Sequence, residues 1–148
     1  MKEYPVEFFN ESDLELDSGK HLAAAQEARS LIASDFVQEF GWINVIVIPS
    51  KDHTELNINY LGHDYATDIL TFEYPEMGVI SGEIYINADV LVENAAEYQV
   101  AVSNELNRLM VHGILHLAGL DDQTDDEQKV MTLNENKYLE ELEQKGFM

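Results

Sequence analysis

Apolar residues recur along this chain in two periods, and the changes from one to the other mark out its elements. Tyr4 to Asn10 reads as a short strand, with Pro5 placing it at a sheet edge. Asp17-Ser18 can cap a helix from about Gly19 to Phe40, whose stripe is Leu22, Ala25, Ala28, Ile32 and Phe36. Gly41 is expected to end it. Trp42 to Ile48 is almost wholly apolar and rich in β-branched residues, which predicts a central strand buried on both faces. Pro49-Ser50 breaks that strand, and a short helix follows around Asp52 to Tyr60, stopped near Gly62.

Asp68 to Tyr74 and Val79 to Asn87 are strand-like, with Pro75 to Gly78 between them as a hairpin connection. Gly82 inside the second of these strands marks a bulge or a close backbone approach. Asn87 caps a helix from Ala88 to about Tyr98, and another runs from about Val102 to Ala118. Thr124 and Glu127 form a capping box that opens a last helix, Asp125 to Lys145, with Val130, Asn134, Tyr138 and Leu142 on one side and Gly146 after it. Strands come early and helices late. The expected fold is therefore α+β: a small mixed sheet of about four strands with about five flanking helices. At 148 residues, without repeats, low-complexity tracts or linkers, residues 1–148 are expected to form a single domain.

Charge narrows the functional classes. Eight basic residues face 29 acidic ones, for a net charge of -21 at pH 7, and no Lys or Arg occurs between Lys51 and Arg108. Bulk attraction to nucleic acid is excluded, since it depends on Lys and Arg displacing counterions. Contact with phosphate would have to be local, through a metal or a partner. The absence of cysteine removes disulfides, thiolate nucleophiles and Cys-based metal sites, leaving His and carboxylates as ligands. Met1-Lys2-Glu3-Tyr4-Pro5 is not followed by the apolar stretch of a signal peptide, and no run approaches the roughly 18 apolar residues of a membrane span. A cytoplasmic location with no membrane partner is the resulting expectation.

The candidate chemistry lies in Leu109 to Asp122. His112 and His116 stand four apart, so a helix puts both imidazoles on one face. With Gly119 and Asp122 they occupy offsets 0, 4, 7 and 10, those of the zincin motif in which a glycine turns the chain to bring a third ligand back. The expected metal ligands are His112, His116 and Asp122, on the penultimate helix and the turn after it. Asp121 and His63 compete for the third place, although Asp after a helix also serves as an ordinary turn residue. Glu105 and Arg108, one to two turns before His112, either orient the imidazoles or form a surface ion pair.

Zincin peptidases carry a general-base Glu directly after the first His. Gly113 stands there, which disfavours peptide hydrolysis. Three protein ligands leave a position for water, whose pKa a metal brings toward roughly 7, and a phosphodiester is a suitable electrophile. No side chain is singled out as catalytic beyond that water.

HGILHLAGLDD (His112 to Asp122) resembles H-G-x-L-H-L-x-G-x-D-H, the signature of the YbeY endoribonuclease family. LNINYLGHDYATDILTF (Leu56 to Phe72) is similar to that family's L-N-x-x-Y-R-x-x-D-x-P-T-D-V-L-S-F, and GEIYIN (Gly82 to Asn87) to its G-D-I-x-I-S. The resemblance covers roughly Asp52 to the C-terminus, with a weaker fit before. It implies a mixed sheet with flanking helices, one zinc ion per chain in an open cleft, and a metal-dependent, single-strand-specific endoribonuclease. That enzyme would act in rRNA 3′-end maturation and ribosome quality control, with single-stranded rRNA and ribosome-associated proteins as partners. Two departures stand out: Asp122 replaces the family's third His, and Leu61 replaces an Arg expected to bind phosphate. The alternative is a ribosome-associated zinc-binding factor with little or no catalytic activity; a metallopeptidase comes behind both.

Overall fold

The computed structural model describes residues 5–148. Tyr4, part of the expected first strand, lies outside them. The elements are β1 (Val6–Asn10), α1 (Ser18–Phe36), β2 (Glu39–Ile48), α2 (Ser50–Leu56) with a π turn at Asn57–Leu61, β3 (Ile69–Glu76), β4 (Val79–Asn87), α3 (Ala88–Tyr98), α4 (Val102–Leu117) and α5 (Asp125–Gln144). The strands form one sheet in the order β1-β2-β4-β3. β1 and β4 both run parallel to β2, while β3 is antiparallel to β4. This is the mixed α+β architecture expected. β1 is an edge strand, and β2 is central and mostly buried.

Two boundaries and one helix face differ from expectation. α1 stops at Phe36, and Gly41 lies inside β2. Sheet pairing claims the intervening residues: Glu39 pairs with Val79 and Phe40 with Ile80. Val37 ends the helix instead, in the left-handed conformation at φ 50°. The hairpin turn is not Pro75 to Gly78 but the pair Met77-Gly78, at φ 51° and 83°, the conformation of a tight two-residue connection. Pro75 belongs to β3, where an edge strand tolerates its missing N–H. The inner face of α5 is Met131, Glu135, Tyr138 and Leu142; Val130 is exposed, and Asn134 is only partly buried.

The caps follow the expected chemistry. Asn87 accepts from the backbone N–H groups of Asp89 and Val90, and Thr124 and Glu127 satisfy each other's backbone donors. α4 packs directly on β3 and β4 because two glycines allow it. A Cβ on Gly113 would stand 2.8 Å from Ile84, and one on Gly82 would stand 2.6 Å from Leu117. Gly82 thus marks a close approach; its pairing with Glu73 is regular, while toward β2 the register shifts just beside it, between Phe40–Ile80 and Ile43–Gly82. The core runs from β2 and β4 through α4 to α1 and α5, with Ile43, Val45, Ile84, Leu109, Ile114 and Tyr138 fully or almost fully buried. The result fixes α4, the His helix, between the sheet and α5.

Candidate metal centre

His112 and His116 project from the last two turns of α4, with ring centroids 4.5 Å apart and planes at 78°. Their Nε2 atoms face each other at 3.0 Å. α4 then ends in a Schellman turn: Gly119 N–H donates to the His116 carbonyl and Leu120 N–H to the Leu115 carbonyl, each at 3.0 Å. Gly119 takes φ 104°, which a side chain would oppose. The turn returns the chain so that Asp122 Oδ2 lies 3.3 Å from His112 Nε2 and 3.6 Å from His116 Nε2. Among the described residues, His112, His116 and Asp122 are the group of His and carboxylate side chains whose ligand atoms converge this closely.

The outer nitrogens decide what the inner ones can do. Nδ1 of His116 lies 2.9 Å from the Leu120 carbonyl, and Nδ1 of His112 lies 2.5 Å from Glu135 Oε2. Both partners are acceptors, so the tautomer with its proton on Nδ1 satisfies both bonds and leaves each Nε2 a lone pair. Two such lone pairs and a carboxylate oxygen meeting at one point make a donor set that could hold a metal ion. Donor–metal bonds of about 2.0–2.1 Å in a tetrahedron imply donor–donor edges of roughly 3.3 Å. The three observed edges, 3.0, 3.3 and 3.6 Å, bracket that length. The donor set fits a divalent metal such as zinc.

The competitors lie elsewhere or have other work. Asp121 is exposed and accepts from the Asp122 backbone N–H at 2.9 Å, the turn role. His63 is exposed, stacked on Tyr65 and hydrogen-bonded to its hydroxyl. Glu105 and Arg108 are not a surface pair, since Glu105 is buried. Arg108 donates to Glu105 through Nε and Nη2, at 2.8 and 2.5 Å, and to Glu135 Oε1 through Nη1 at 2.9 Å. Neither touches an imidazole directly; Glu135 stands between. Burial pushes the Glu135 carboxyl up, but His112 and Arg108 together outweigh it and hold the group below its ordinary value. The hydrogen bonds that Arg108 donates to the Glu105 carboxylate raise the guanidinium further, so it stays charged.

Glu135 is the site residue that sequence reasoning missed. Its only trace was an acidic residue spaced with Met131, Tyr138 and Leu142 on one helical face.

Beside His116 opens a cleft of about 450 Å³, lined among others by Leu61, Thr71, Glu73, Asp121 and Asp122. No Lys or Arg is among its lining residues. Leu61, at the end of the π turn, presents a half-exposed apolar side chain there. Arg108 cannot replace the missing cation, because its guanidinium is committed to two carboxylates.

A family model described as Endoribonuclease YbeY matches residues 8–143, which include the stretch that carries the sequence motifs and begin well upstream of it. The chain is 36% identical over 138 residues to Endoribonuclease YbeY of Chlorobaculum tepidum, covering 93% of this chain and 98% of that one. It is 36% identical over 127 residues to that of Parabacteroides distasonis, covering 86% and 89%. Among solved structures it resembles the solution structure of a Thermotoga maritima protein, TM1509, with a TM-score of 0.63 and 33% identity, covering 93% of this chain and 88% of that chain.

Proposed function

The chain belongs to the endoribonuclease YbeY family, an RNA-cleaving hydrolase by that membership, and from that premise we propose a zinc-dependent, single-strand-specific endoribonuclease acting in rRNA 3′-end maturation and ribosome quality control. One zinc ion per chain is held by His112, His116 and Asp122. The observation that carries this reading is the convergence of two imidazole Nε2 atoms and one carboxylate oxygen within 3.6 Å of each other beside an open cleft.

Zinc bound there supplies Lewis acidity, polarising a phosphoryl oxygen and bringing the pKa of water toward about 7. The protein's own residues set the conditions. The two imidazoles donate as neutral ligands, and Asp122 removes one unit of positive charge from the centre. In this reading the RNA strand lies in the cleft beside His116, which Leu61 and Thr71 also line. Glu73, Asp121 and Asp122 disfavour phosphates along this cleft, so binding relies on the metal and on partners that bring the RNA. Ribosome-associated proteins, in the cytoplasm, fit that need. Residues 1–148 act as one domain in this reading.

The deciding comparison uses purified wild type and His116→Ala, each with and without added zinc, on single-stranded rRNA fragments. Cleavage by wild type alone is expected, with one zinc per chain. Equal cleavage by both would refute the ligand assignment. A second reading, a zinc-holding ribosome factor with little catalysis, is favoured by Leu61 and the acidic cleft wall. It predicts full zinc loading with no cleavage by wild type.

A further inference from the structure

Glu135 sits where a carboxylate is expensive. It is 4% exposed, on the inner face of α5 between Met131 and Tyr138. An ionised carboxylate is retained in such a place only with charged or hydrogen-bonding partners. Its two oxygens divide their work: Oε1 accepts from Arg108, and Oε2 accepts from His112 Nδ1. Arg108 is in turn gripped by both oxygens of buried Glu105, and its guanidinium carbon lies 5.7 Å from the Tyr98 ring centroid.

We propose that Glu135, held in place by Arg108 and Glu105, is a positioning residue that keeps the His112 proton on Nδ1 and commits Nε2 to the metal. This rests on the metal-site reading above. If Glu135 served only to neutralise Arg108, nothing would require its second oxygen to meet an imidazole. The frame leaves α4 at Glu105 and Arg108, crosses to α5 at Glu135 and returns to α4 at His112. α5 thereby becomes part of the centre without supplying a ligand. The two histidines are also unequal. His116 is oriented by a neutral carbonyl and His112 by a carboxylate, the stronger acceptor, so His112 is the better donor to a metal.

Zinc dissociation constants of wild type and Glu135→Gln, measured by competition with a chromogenic chelator, separate the roles. Glutamine keeps the size and one acceptor oxygen, which Arg108 and His112 must then share. Zinc affinity is expected to fall about 10- to 100-fold. A purely structural role would lower the melting temperature of the metal-free variant and leave its zinc constant at the wild-type value, and that result would overturn the proposal. Should the variant not fold, long-range 1H–15N spectra of wild type decide. Nδ1–H in His112, with zinc on Nε2, is expected; zinc on Nδ1 overturns the proposal. A wild type that binds no zinc at all would instead overturn the underlying metal-site reading.

Discussion

The Leu120 carbonyl lies 2.9 Å from Nδ1 of His116, so the turn that ends α4 also orients one of its imidazoles. The same turn carries Asp122 to both histidines. Ligand supply, ligand orientation and helix termination thus share one conformation, which depends on Gly119 at φ 104°.

Gly119→Ala therefore should damage stability and metal binding together. A side chain in that region of backbone space costs about 1–3 kcal/mol. Urea unfolding of the metal-free protein should register that loss, and zinc affinity should drop as well. An alanine variant with unchanged zinc affinity would show that the turn does not set the site.

The third ligand can be separated from its neighbour. Asp122→Ala should weaken zinc binding by more than the 10- to 100-fold typical of losing an outer partner. Asp121→Ala should stay close to wild type, because Asp121 serves the turn. Asp122→His should retain zinc. Chelator competition on the three variants checks the assignment, and a larger loss in the Asp121 variant would reverse it.

Leu61→Arg should place a cation on the cleft wall, in reach of a phosphate. KM for single-stranded RNA is expected to fall, and the magnitude of the salt-dependence slope to grow by up to about 1. Stability should change by less than about 0.5 kcal/mol, since Leu61 is half-exposed. No change in KM or salt dependence would mean that the strand does not pass this wall.

Acid should destabilise the fold through two other histidines. Burial lowers the pKa of both His21 and His53 below 6.5, against hydrogen bonds with Asn107 and the Tyr85 carbonyl that work the other way. The unfolded chain then binds more protons than the folded one just below pH 6.5, so their contribution is complete above that pH and declines as pH falls through it. In chelator-treated protein the melting temperature should be lower at about pH 5.5 than at about pH 7.5. A His21→Gln, His53→Gln double variant should flatten the profile; a slope as steep as wild type would assign the effect to other groups.

Val37 offers a change in the opposite direction. It is 92% exposed and left-handed at φ 50°, a conformation that opposes a β-branched side chain. Val37→Gly should stabilise the protein by up to about 1 kcal/mol, the relief of the steric penalty less the entropy of a freer unfolded chain. Thermal melting should rise by roughly 2–4 °C per kcal/mol gained. A fall would mean that Val37 has a packing role its exposure does not reveal.

What could be read in advance followed the range of the interactions. The histidine pair, the turn glycine and Asp122 lie within eleven residues, and helical geometry alone relates them. Asn87 and the Thr124–Glu127 box act within three residues and were equally readable. Glu135 was not, because its partner His112 lies 23 residues away on another helix. Apolar lettering also favoured Val130 and Asn134 as the inner side of α5, whereas packing against α4 and α1 buries Met131 and Glu135. The end of α1 was misplaced for the same reason: pairing of Glu39 with Val79 joins positions forty residues apart.

Gly113 carries a consequence for the divergence of such enzymes. A side chain at 113 would point at Ile84 and Ile69 in the sheet, not toward the clustered ligand atoms. Replacing this glycine by glutamate would recreate the zincin lettering, H-E-x-x-H, yet its Cβ would already stand 2.8 Å from Ile84, directing the side chain at the core. That glutamate would therefore not reach the clustered ligand atoms as a general base. The ligand spacing of this scaffold can coincide with that of a protease while the packing beneath the helix closes the mutational path between them.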